Sequence, residues 1–167
     1  METSSLLAGA RASGWISAYY EFNRTRAGQG LPLEEDERAA DWRFLLPSAP
    51  EGRALVLGCG LGTVAVSLAG TCAKVYAADP DPDRVELLRL RALEQDLPNI
   101  LPIHGAEIAD MPLDAGSLDL ACLRECDWPF EHGRLPGLLA SLVWLLRPGG
   151  RLYLAAGNRW DFRRLCG

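Results

Sequence analysis

The chain has 167 residues, 49% of them hydrophobic, which suits one domain with a substantial core. Its formal net charge of −5 gives no general attraction for the phosphate backbone of nucleic acid, and no apolar run reaches the roughly 18 residues of a membrane span. The five cysteines, Cys59, Cys72, Cys122, Cys126 and Cys166, are odd in number and scattered, and Leu6 to Ala8 is too short for a signal-peptide core; free thiols in a reducing, cytoplasmic compartment are expected.

Residues 1–12 are small and polar and read as a frayed start. Gly14 to Arg24, GWISAYYEFNR, puts Trp15, Tyr19 and Phe22 at helical spacing with Ile16 and Tyr20 beside them, an aromatic-faced helix that Gly28 and Gly30 break. Pro32 opens a second helix with Glu34, Glu35 and Asp36 in its first turn. Trp42 and Leu45 or Leu46 are expected to face inward, and Pro47 ends the element. Residues 1–46 thus form a helical cap segment, and 47–167 form the core domain, entered through the linker PSAPEGR. Within the core, strands are expected at 54–57, 74–78, 100–103, 118–123 and 151–156. Helices follow Gly62, span 83–96 and span 135–146. Arg147 to Gly150, RPGG, stops the last helix abruptly and reverses the chain into the fifth strand. Strands alternating with helices imply an α/β fold, a doubly wound, mostly parallel sheet covered on both faces.

The pattern centres on Ala54 to Ala69, ALVLGCGLGTVAVSLA, which reads as strand, tight turn and helix. Gly58, Gly60 and Gly62 can take positive φ and admit a ligand close to the backbone, and the helix that follows aims unsatisfied N–H groups at the same spot. Such a turn suits a carboxylate, a phosphate or a nucleotide. In a doubly wound sheet the second strand ends beside it, and this one ends in Asp79, placed either to accept hydrogen bonds from both ribose hydroxyls of an adenosine or to cap the next helix. A nicotinamide dinucleotide needs G-x-G-x-x-G; here the third glycine falls one residue early and Thr63 takes its place, which counts against that cofactor.

The ordered stretches VLGCGLG, VYAADPDPDRVELLR, HGAEIADMPLDAGSLDLA and LLRPGGRLYL resemble the successive motifs of the class I S-adenosylmethionine-dependent methyltransferases. The resemblance implies a Rossmann-like core, S-adenosyl-L-methionine as cofactor and methyl transfer to an acceptor. It implies that Gly58, Cys59, Gly60 and Gly62 line the methionine and ribose portion, that Asp79 holds the ribose hydroxyls with Pro80 against the adenine, and that Glu107 and Ile108 read the adenine edge. Glu107 stands where the family usually has Asp. Leu123 and Arg124 fall near the methionine end and the transferred methyl.

Family members normally add a helix and an antiparallel strand pair after the fifth strand, and this chain stops at Gly167. A truncated polypeptide, or a minimal form whose sheet edge is covered by self-association, a partner domain or the N-terminal helices, is therefore expected. The loop Arg124 to His132, RECDWPFEH, offers Glu125, Asp127, Glu131 and His132 as candidate general bases, or else a solvated acidic loop anchored by Trp128 and Phe130. The N/D-P-P-Y/F tetrapeptide of members acting on amide or base nitrogens is absent, so a small-molecule acceptor is favoured over nucleic acid, although Arg159, Arg163 and Arg164 form a local basic cluster. Cys122, Cys126 and His132 lack the second cysteine pair of a structural zinc site, and no metal is expected. Trp15, Tyr19 and Tyr20 either wall a lid over the ligands or pack on the sheet. The rival to an enzyme is a methyltransferase-like binding or scaffolding domain without catalysis of its own.

Overall fold

A computed structural model describes residues 2–28, 37–45, 51–105, 108–124 and 135–155. Five strands, β1 (Arg53–Leu57), β2 (Lys74–Asp79), β3 (Ile100–His104), β4 (Leu118–Arg124) and β5 (Leu146–Ala155), form one sheet in the order β3-β2-β1-β4-β5. Every pairing is parallel. Helices α3 (Thr63–Ala69), α4 (Pro82–Glu94) and α5 (Leu135–Leu145) make the crossovers. The central strands are short apolar runs because both faces are covered. On one face Ala54, Val56, Val75 and Ala77 pack with Val64, Ala65 and Leu68 of α3 and Leu88 of α4. On the other, Leu55, Leu57, Tyr76 and Ala78 pack with Leu142 and Leu145 of α5. This alternation along β1 and β2 is the period-2 geometry of a strand buried on both sides.

Two expectations fail at the N-terminus. Instead of fraying, residues 2–13 form α1 (Glu2–Ser13), and α2 (Trp15–Gly28) follows after Gly14, which has φ 85°. The cause is tertiary: Leu6, Leu7 and Ala10 form a short stripe buried with Trp15, Ala18, Leu61 and Leu87. The hairpin therefore packs on α4, not on the sheet. The Ser4 hydroxyl donates to Asp83 Oδ2 at 2.6 Å, and the Arg91 guanidinium lies 5.0 Å over the Trp15 ring. Trp15 also stacks on Tyr19, with centroids 5.0 Å apart. Tyr20, expected to join that wall, is 73% exposed.

Glu94, at the end of α4, ties down the start of α2. Its carboxylate accepts from the Trp15 N–H at 2.5 Å and from the Ile16 N–H at 3.2 Å, where the helix dipole favours an anion. Glu94→Ala is expected to cost about 1 kcal/mol, as loss of a helix cap does. Hydrogen exchange will show it as faster exchange in α1 and α2, with β1 and β2 unchanged.

The segment after α2 also departs from expectation. Glu37–Leu45 is a 3₁₀ helix, with Ala40 fully buried and the Trp42 ring stacked on Tyr153 of β5 at 3.8 Å. Trp42 packs against the core as expected; of the alternatives Leu45 and Leu46, Leu45 is 85% exposed at the end of the element, and Leu46 lies outside the described residues.

A further correction concerns RPGG. α5 stops as expected, but the chain joins the sheet at once: Leu146 pairs with Leu118, and Arg151 pairs with Leu120. Residues 147–150 bulge out opposite Asp119. Asp119 fixes the bulge by pairing with Arg147, while its other oxygen accepts the Arg53 N–H at 2.7 Å. A Cβ on Gly150 would lie 2.9 Å from the Arg147 carbonyl oxygen and 3.1 Å from that of Leu118, so only glycine fits.

Candidate functional site

The strand order reverses at β1, whose two neighbours are β2 and β4; in such a sheet the crevice for a ligand opens beyond the carboxyl ends of the strands at this point. The glycine turn occupies it. Gly58 and Cys59 N–H groups both donate to the Ala78 carbonyl, at 2.9 and 3.0 Å, which stitches the turn to the end of β2. Gly58, Gly60 and Gly62 have φ of 70°, 55° and 91°, so each takes the left-handed conformation the spacing predicts. The Gly62 N–H donates to the Cys59 carbonyl at 2.8 Å, which closes the turn as α3 begins.

Asp79 is the electrostatic centre of this edge. It is fully buried, and its two carboxylate oxygens accept from different backbone amides: Oδ2 from Gly60 at 3.0 Å and Oδ1 from Asp81 at 2.9 Å. Burial raises its pKa above the ordinary carboxylate range, against the pull of these two amides and of Arg84. The helix-capping alternative for Asp79 falls to its neighbour. Asp81 is the N-cap of α4, its side chain accepting from the Asp83 N–H at 2.9 Å with Pro82 at the first helical position. Asp81-Pro82 is a readable start signal, of which sequence reasoning marked only the proline near the helix start.

The remaining candidate residues divide sharply. Pro80 sits half-buried on the edge, and His104 Nε2 lies 3.2 Å from its carbonyl oxygen. The side chains of Cys59, Ile108 and Leu123 are buried in the core clusters on either face of the sheet. Their backbone groups are what these positions leave for a ligand at the strand ends, the role the motif pattern already gives Ile108. Arg124 is the last residue of β4, paired with Ala155. Glu107, Glu125, Asp127, Glu131 and His132, and the basic cluster Arg159, Arg163 and Arg164, lie outside the described residues.

Sequence reasoning missed Leu61, and it put Leu88 with Val85 and Ala92 on one side of its helix without the contact Leu88 makes. Leu61, inside the glycine turn, is buried in the α1–α2 cluster, and its carbonyl accepts from Arg91 at 2.8 Å. Leu88 packs where a Gly62 side chain would be. Both contacts cross elements far apart in the chain, and periodicity carries no trace of them.

Buried thiols are poor nucleophiles. Cys122 inside β4 is 2% exposed and burial drives its thiol far above the ordinary range; burial raises Cys72 as well, but less deeply. Iodoacetamide at neutral pH is expected to spare Cys122 and Cys59 in the folded protein and to modify both after denaturation, with peptide mass mapping as the readout.

A family model described as "Methyltransferase domain" matches residues 54–150, the span from β1 through the glycine turn to the bulge of β5. The chain belongs to the class I S-adenosylmethionine-dependent methyltransferases. Among curated relatives, the chain is 34% identical over 131 residues to a ubiquinone biosynthesis O-methyltransferase of Xanthomonas campestris pv. campestris, covering 77% of this chain and 50% of that one. It is also 34% identical over 109 residues to the protein of the same name from Xanthomonas axonopodis pv. citri, covering 64% and 44%. The chain thus spans about half the length of the curated relatives it matches.

Solved structures share the fold. Haemonchus contortus phosphoethanolamine N-methyltransferase 1, in complex with phosphoethanolamine and S-adenosylhomocysteine, superposes with a TM-score of 0.61 at 22% identity over 71% of this chain and 25% of that one. A Methanobacterium thermoautotrophicum protein named precorrin 8W decarboxylase gives 0.62 at 22% identity, covering 82% and 72%. Among the described residues no helix is long and apolar enough to cross a membrane.

Proposed function

We propose that this methyltransferase moves the methyl group of S-adenosylmethionine to a small-molecule acceptor, in the cytoplasm, with the cofactor held along the glycine turn and the end of β2. The observation that carries the cofactor placement is Asp79. Each of its oxygens receives one backbone N–H and keeps lone-pair capacity for a further donor, which suits the paired hydroxyls of a ribose. Gly58, Gly60 and Gly62 would bring backbone against the methionine and ribose portion, Pro80 would wall the adenine, and Glu107 with the Ile108 backbone would read its edge. Leu123 and Arg124 would stand near the transferred methyl. Residues 1–46 would act as a cap and 47–167 as the cofactor-binding core.

The bound cofactor supplies an activated methyl on a sulfonium. The acceptor's nucleophilic atom would gain the methyl carbon, the carbon–sulfur electron pair would stay on sulfur, and the acceptor's proton would pass to solvent or to a base. Glu125, Asp127 and His132 are the candidates for that base. The chain's own contribution is chiefly to align donor and acceptor. The net charge of −5 and the curated relatives' role in ubiquinone biosynthesis support a small acceptor over nucleic acid. The outer edge of β5 has no partner strand among the described residues, so a second copy or a partner domain would cover it.

Calorimetric titration with S-adenosylmethionine and S-adenosylhomocysteine tests the cofactor reading, and failure to bind either overturns it. Transfer of labelled methyl from S-adenosylmethionine to phenols, amines and carboxylates, set against RNA and protein acceptors, tests the rest. Turnover on a macromolecule alone would overturn the acceptor class, and binding without any turnover would favour a scaffold.

A further inference from the structure

Asp79 is a fully buried anion, and what balances its charge is a question separate from what it binds. Arg84, on the first turn of α4, places Nη1 3.9 Å from Asp79 Oδ2 and Nε 3.6 Å from Asp81 Oδ2. Its side chain is 37% exposed, so one edge of the guanidinium faces solvent and the other faces both acids. Among the described residues no other side chain is ion-paired with Asp79. Asp81 follows it in the chain, Asp83 on α4 accepts from Ser4, and His104 on β3, opposite Asp79 in the ladder, turns to the Pro80 carbonyl. Asp81 therefore crowds the buried carboxylate, and among the described residues Arg84 is the cation bridging to both acids.

We propose that Arg84 is a positioning residue for cofactor binding: its guanidinium, shared between Asp79 and Asp81, supplies the positive charge that keeps the buried carboxylate an acceptor and holds it against the glycine turn. This rests on the reading that Asp79 receives the ribose hydroxyls. Arg84 favours the ionised carboxylate, so its loss moves protonation of Asp79 to higher pH. Cofactor affinity then fades at a pH where the native protein still binds.

Titration with S-adenosylhomocysteine of the native protein, Arg84→Gln, Arg84→Lys and Asp79→Asn tests this at about pH 5.5 and about pH 8. Arg84→Gln is expected to weaken binding about tenfold at the lower pH and only about twofold at the higher, and Arg84→Lys to recover most of the loss. A merely structural role would lower affinity equally at both, and that result, or no change at either, overturns the proposal. If Asp79→Asn binds as well as the native protein, the ribose reading fails instead. The Asp79 carboxyl carbon followed by NMR in ligand-free protein then decides: titration at higher pH in Arg84→Gln supports the role of Arg84, and an unmoved titration overturns it.

Discussion

Gly62→Ala is expected to be among the most damaging single substitutions in the core, costing about 2–5 kcal/mol. Two independent effects combine. Gly62 has φ 91° and ψ 10°, and a non-glycine residue held in the left-handed region costs about 1–2 kcal/mol. An added Cβ would also collide with Cδ1 of Leu88, which is fully buried on α4 in the cluster it shares with α3 and the sheet. Overpacking of that kind costs about 1–3 kcal/mol. Against a total stability of about 5–15 kcal/mol, the sum is a large fraction. Gly116→Ala is the control: its φ is 63°, yet nothing lies within 4 Å of its added Cβ, so only the backbone term applies. Urea denaturation followed by circular dichroism should give equal slopes and a midpoint shift at least twice as large for Gly62→Ala. Equal shifts for the two variants would show that Leu88 yields and that the turn is not packed as described.

The contrast between these glycines bears on what the sequence makes legible. Alternate glycines after Ala54 to Leu57 announce a turn of positive φ, because few other arrangements need them, and all three have it. Nothing in the sequence says that Gly62 touches Leu88, because that contact depends on how α4 lies across the turn. The strands were readable for the same local reason: short apolar runs bounded by Gly or Asp-Pro end within a residue or so of where expected. α1 was not, because Leu6, Leu7 and Ala10 are too sparse a stripe among Ser, Gly and Ala to signal a helix until Leu61 and Leu87 are there to bury it. The RPGG bulge was half legible. Proline and glycines mark the stop, but Asp119 on the neighbouring strand makes the chain rejoin the sheet immediately. At the site the limit is burial. The motif order names Cys59, Ile108 and Leu123, and packing adds that their side chains are buried in the core clusters.

Asp79→Asn is expected to separate affinity from stability. The substitution keeps the shape and one acceptor oxygen, but it turns the second oxygen into an NH₂ facing either the Gly60 or the Asp81 N–H. One buried donor is left without a partner, which costs about 1–3 kcal/mol, while removal of a buried charge offsets part of that. Cofactor binding has no such compensation. Hydrogen bonds to a charged acceptor contribute about 1.5–3 kcal/mol each, so losing the carboxylate under two hydroxyls should weaken S-adenosylhomocysteine about 100-fold or more. The pH dependence carries a second signature. Burial raises the Asp79 pKa in the folded protein above its unfolded value, so the folded state holds this proton more tightly. Its contribution to stability is therefore greatest below the unfolded value and declines as pH rises through the interval up to the folded one. The native protein minus Asp79→Asn difference in unfolding free energy, measured across mildly acidic pH, should fall with rising pH and then level off. A difference that rises with pH would mean that Asp79 is stabilised as an anion by more than Gly60, Asp81 and Arg84, and an undiminished affinity would remove Asp79 from the cofactor site.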